Sequence, residues 1–110
     1  MRAKTIGSLF IASLWLAFST RASAQTAQGQ DALYARSLAA SCANCHGTDG
    51  KAVAGSLVVP LAGMDKNYFV AQMKAFKSGT RPATVMIQLA KGFNDAQIEA
   101  LAGYFAAQPK

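Results

Sequence analysis

Cys42-Ala43-Asn44-Cys45-His46 is the stretch on which the reading of this 110-residue chain turns. Two thiols one tight turn apart can each add to one vinyl group of a haem, and the next residue then points its imidazole at the iron. A C-x-x-C-H run therefore reads as c-type haem attachment, with Cys42 and Cys45 as covalent anchors and His46 as an axial ligand. Three other chemistries use paired cysteines. A thioredoxin-like redox pair follows a strand in an α/β chain, and no such strand pattern precedes Cys42. A structural zinc site needs four ligands, whereas this chain offers two Cys and one His. A plain disulfide gives no reason for the adjacent histidine. The expectation is one covalent haem c and its iron.

Upstream of the motif, Arg2 and Lys4 precede an apolar run from Ile6 to Phe18. Ala22-Ser23-Ala24 then has the small-x-small form that signal peptidase cuts after. The run is shorter than the roughly 20 residues that a spanning helix needs. Residues 1–24 are read as a cleaved signal peptide and residues 25–110 as one haem-binding domain. Export to the periplasm follows, with no membrane span left after cleavage. The leader takes Arg2, Lys4 and Arg21 with it, which halves the formal charge of +6. Without a basic run or interleaved aromatics, nucleic acid is not an expected partner. The domain that remains has few large apolar residues for a free-standing core, and a fixed haem would supply apolar mass at its centre.

Downstream and upstream of the motif, three helices are legible. The first is expected from about Asp31 to Cys42, with Ala35, Leu38, Ala39 and Cys42 on one face. Asp31 near its start suits the positive end of the helix dipole. The second starts at the N-cap Asp65 and ends before Gly79, with Phe69, Met73 and Phe76 on its inner stripe. The third starts at Asn94, with Gln97 completing a capping box. Ile98, Leu101, Ala102 and Phe105 follow at helical spacing, and Gly103 with its neighbouring alanines is expected to allow close approach to the first helix. The Gly-rich stretch from His46 to Gly63 is read as irregular backbone.

With a single histidine, the second axial ligand must be a methionine or nothing. Met73 lies on an apolar stripe and suits core packing. Met64 follows His46 by a short path. Met86 lies beyond the second helix, in a loop-like stretch broken by Gly79 and Pro82, from which a thioether could reach the distal side, so Met86 is the candidate. Pro60 is either the source of a carbonyl that accepts the His46 Nδ1–H or a plain loop proline. Arg81 is either a partner for a haem propionate or a solvated arginine.

This arrangement resembles the small single-haem class I cytochromes c over essentially all of residues 25–110. The likeness rests on a helix ending in Cys42-Ala43-Asn44-Cys45-His46, on Pro60-Leu61-Ala62-Gly63, and on a methionine before the closing helix. It implies an all-α fold in which three main helices and loops wrap one covalent haem, and the first and last helices cross. It also implies a carbonyl of Pro60 on His46 and Met86 as sixth ligand. A narrower likeness, over roughly residues 60–105, is carried by Phe76-Lys77-Ser78-Gly79-Thr80-Arg81-Pro82, Thr84-Val85-Met86 and Ala90-Lys91-Gly92. These resemble the cytochrome subunit of flavocytochrome c sulfide dehydrogenase. That family implies an FAD-containing partner that oxidises sulfide, with electrons leaving to an acceptor such as another cytochrome. No G-x-G-x-x-G occurs, so no flavin is expected on this chain.

Two further functions stay open on the sequence. A freely diffusing shuttle would meet its partners through charges such as Lys74, Lys77 and Lys91. A peroxidase or gas-binding sensor would need an open or easily displaced sixth position. In the electron-transfer readings the chain is not expected to be a catalyst by itself; a peroxidase would be one.

Overall fold

Asp65, Gly79 and Asn94 decide where two of the helices begin and end. The Asp65 carboxylate accepts from the Tyr68 N–H at 2.8 Å, satisfying an otherwise orphaned donor at the start of α3 (Lys66–Ser78). Gly79 closes that helix in the left-handed region, at φ +77°, where a residue without Cβ is favoured. At Asn94 both halves of the capping box form. Its side chain accepts from Gln97 N–H, and the Gln97 side chain accepts from Asn94 N–H, each at 2.9 Å. From that cap α5 runs Asp95–Ala106.

The computed structural model describes residues 27–110; the expected leader, residues 1–24, lies outside the described residues. Residues 33–110 form one compact unit, and among the described residues the regular structure is all helical. The described part of helix α1 covers 27–40, reaching further upstream and ending sooner than the apolar pattern predicts. Asp31 thus lies within the helix rather than at its start. Ala27 and Gln28 are good helix formers, but their exposure leaves no amphipathic signal. At the other end, Ser41 and Cys42 tighten onto the carbonyls of Leu38 and Ala39 at 3.2 and 3.0 Å, a common way for a last turn to finish. The short α2 (Ala43–His46) follows, then a 3₁₀ turn at Thr48–Gly50.

A difference of more consequence lies after α3. Met86 is the first residue of a six-residue helix, α4 (Met86–Lys91), and not part of a loop. The loop that precedes it runs from Gly79 to Val85.

The core forms where α3 packs against α4 and α5. Ile98, Leu101, Ala102 and Phe105 are fully buried, at the spacing the sequence predicts, and Phe69 and Met73 face them from α3. The Phe69 and Phe105 rings stand 5.6 Å apart, within the range of favourable aromatic pairing. Among the described residues, four of the ten buried apolar side chains are alanines, so the core is small in volume. Ion pairs Lys66–Glu99 at 3.3 Å and Lys77–Asp95 at 3.2 Å run between α3 and α5; exposed pairs of this kind contribute little. Helix α1 meets α5 through Ala39 in the core and through Gln97 Nε2 donating to Tyr34 Oη at 3.1 Å.

Gly103 does not have the role its sequence context predicts. It is exposed, and a Cβ built there would meet nothing within 4 Å. A small residue has the same appearance in sequence whether it faces a helix or water. Gly103→Ala is therefore expected to stabilise the fold by about 0.5–1 kcal/mol through helix propensity. Chemical denaturation measures this directly; a loss of stability would mean that the face is occupied.

Candidate functional site

The geometry of the Cys42–His46 segment follows from one turn of helix. Cys42 sits at the N-cap of α2 with near-helical backbone, and the His46 N–H donates to the Cys42 carbonyl at 2.9 Å. The two cysteines are free thiols three residues apart, and His46 occupies the last position of the turn. Burial pushes the Cys42 thiol above its ordinary pKa, and the neighbouring Ser41 hydroxyl offsets part of that rise.

His46 is anchored by its ring. Nδ1 lies 2.7 Å from the carbonyl oxygen of Val59. A carbonyl can only accept, so the hydrogen bond assigns the proton to Nδ1 and leaves the lone pair on Nε2. This is the arrangement in which an imidazole serves as a metal ligand with its ring plane fixed. The acceptor is Val59 rather than Pro60, one residue earlier than expected. The register of the loop explains the shift. The N–H groups of both Leu61 and Ala62 donate to the Gly50 carbonyl, at 2.8 and 3.1 Å. That holds the chain just after Pro60, with Val59 opposite the imidazole. Pro60 itself lines a cleft with Lys51, Met64 and Lys110. Sequence reasoning missed Val59, although a run of three apolar residues, Leu57-Val58-Val59, stands out in a Gly-rich loop.

Directly after His46 the chain must reverse, and Gly47 permits it. Its φ is +81°, and a Cβ there would stand 1.9 Å from the Lys51 carbonyl oxygen. Gly47→Ala is expected to cost about 1–3 kcal/mol of stability from backbone strain alone. The clash with the Lys51 carbonyl should add to that. Denaturation midpoints of Gly47→Ala and Gly103→Ala should therefore move in opposite directions.

Nearby, Tyr104 Oη donates to the Asp49 carboxylate, tying the 3₁₀ turn to α5. That bond pushes the Tyr104 phenol above its ordinary pKa.

The three methionines among the described residues differ in setting. Met73 is 5% exposed and belongs to the core. Met64 is partly buried, in a turn whose Gly63 N–H donates to the Phe105 carbonyl at 2.8 Å. Met86 is also partly buried, but it opens α4 between the exposed apolar residues Val85 and Leu89. Arg81 lies with its guanidinium 4.7 Å from the centroid of Phe76 and donates through Nη1 to Gln72 Oε1. Neither contact was legible beforehand, and neither involves a carboxylate.

These residues fit a covalently attached haem. Two thiols and an Nε2 lone pair come from one turn. Leu57, Val59, Val85 and Leu89, each about half exposed or more, flank the proposed ligands with the kind of surface an apolar macrocycle covers. Among the described residues, no cluster of three or more His, Cys, Asp or Glu could hold a bare metal ion.

The cytochrome c family model matches residues 29–108. The chain is 40% identical over 68 residues to the cytochrome subunit of sulfide dehydrogenase from Chlorobaculum tepidum, covering 62% of this chain and 60% of that protein. It is 36% identical over 90 residues to a thiosulfate dehydrogenase electron acceptor from Stutzerimonas stutzeri, with 78% and 41% covered. It is 36% identical over 78 residues to cytochrome c4 from Pseudomonas aeruginosa, with 71% and 38% covered. The chain thus spans less than two thirds of the length of each of these relatives.

Proposed function

The chain belongs to the cytochrome c family of electron-transfer haem proteins, and from that premise we propose that it accepts electrons from a flavoprotein that oxidises sulfide. The electrons would leave to an acceptor such as another cytochrome. Haem c, when bound, supplies the one-electron chemistry. The chain's own residues set its terms. Cys42 and Cys45 would anchor the group, and His46, its ring held by Val59, would bind it through Nε2. Met86 would be the second protein ligand, and a His/Met pairing would raise the reduction potential and leave no open coordination site. The observation that carries the haem-ligating part of this reading is the His46–Val59 hydrogen bond, which orients one ring nitrogen as a ligand.

Two observations support the sulfur-oxidising partner. Two of the relatives are the cytochrome subunit of sulfide dehydrogenase and a thiosulfate dehydrogenase electron acceptor. In addition, Lys74 and Lys77 both approach Asp95, at 3.8 and 3.2 Å, so part of the charge that a shuttle would present is neutralised. We place the protein in an exported compartment on the strength of residues 1–24. Among the described residues no helix is long and apolar enough to cross a membrane.

The test is recovery of tagged holoprotein from its native cells. A flavin-containing chain at equal stoichiometry is expected, with rapid reduction by sulfide only in that complex. Holoprotein recovered alone, and reduced by sulfide no faster when the flavin-containing fractions are added back, would favour the diffusing carrier.

A further inference from the structure

The loop that delivers Met86 is tied to α3 at its first half only. The Ala75 carbonyl accepts from Arg81 N–H at 3.1 Å and from Thr80 Oγ1 at 3.2 Å, and Ser78 Oγ lies 3.0 Å from Thr80 Oγ1. The Arg81 side chain then folds back on α3. Its planar cation covers the Phe76 ring, and its fork reaches Gln72 one turn earlier. All three side chains are half-buried, where a cation on an aromatic face is worth more than in open water. Pro82 follows and fixes one further dihedral. Four residues after Pro82 comes Met86.

We propose that Arg81 is a positioning residue for Met86: its clamp on Phe76 and Gln72 fixes the start of the Gly79–Val85 loop and so holds the thioether at its ligating position. This rests on Met86 being the sixth ligand. It differs from a propionate contact in what it requires of the residue. A propionate needs the charge, which lysine retains. The clamp needs the flat fork, which lysine lacks, and it needs the uncharged Gln72.

The experiment uses ferric holoprotein titrated with imidazole, read by loss of the methionine–iron absorption band. An exogenous ligand can enter only when the methionine is off, so its apparent affinity reports the fraction in which Met86 is displaced. Arg81→Lys and Gln72→Ala are each expected to keep the band without imidazole and to raise imidazole affinity roughly tenfold, equivalent to about 1.4 kcal/mol. Unchanged affinity in both variants overturns the proposal. So does a pattern in which Arg81→Gln weakens the methionine but Arg81→Lys does not, since charge would then be the requirement. Asn94→Ala uncaps α5 away from this loop and serves as the stability control; an equal gain in imidazole affinity there would reduce Arg81 to a general structural role and overturn the proposal. If wild-type protein lacks the band, or Met86→Ala retains it, the sixth-ligand reading falls first and this one with it. A band that Met86→Ala removes and the clamp variants leave equally hard to displace sinks the clamp alone.

Discussion

Replacing Cys42 and Cys45 together by alanine is expected to yield a chain from which acidified acetone removes all haem, where the wild type gives up none. The reason is the kind of bond involved. With both thiols the group would be held by covalent links that survive denaturation; without them only the proposed coordination by His46 and Met86 and apolar contact would remain, and all of these are lost when the chain unfolds. The single variants should each retain haem through the other sulfur. The protein must be matured with working haem-attachment machinery for the comparison to hold. Extractable haem in the wild type, under those conditions, would contradict the roles of both cysteines.

Met86→Ala has the second large effect. The methionine–iron band should disappear and the reduction potential should fall by on the order of a few hundred millivolts, within the ~0.8 V range that axial ligation commands. Met64→Leu and Met73→Leu serve as controls. Met73 is buried among Phe69, Leu101 and their neighbours, so its replacement should cost under about 1.5 kcal/mol of stability and leave the band in place. Loss of the band on changing Met64 instead would transfer the ligand role to the turn before α3.

Much of this architecture is legible in the residues because its signals are local. Asp65 and Gly79 bound α3, the Asn94–Gln97 box starts α5, and the buried face of α5 is the one its spacing predicts. The Cys42–His46 motif is likewise self-contained, needing no distant partner to be read. What escaped depends on distance or on brevity. Six residues are too few for α4 to show a helical period, and the preceding Gly79 and Pro82 disguise it as loop. Whether Val59 or Pro60 faces His46 is a one-residue matter of register, decided by hydrogen bonds to Gly50 that no periodicity reveals. The contacts of Arg81 with Phe76 and Gln72 require knowing how the loop turns back after Gly79. The direction Gly103 faces is not legible in sequence, because a missing side chain carries no direction.

On the proposed reading, ligation by both His46 and Met86 would leave the iron no free position and would make this chain a carrier rather than a catalyst. Exposure of the reduced holoprotein to carbon monoxide tests that most directly. The account predicts an absorption spectrum that does not change. Conversion to a stoichiometric carbon monoxide adduct would contradict it, because it would require an iron whose sixth position is open.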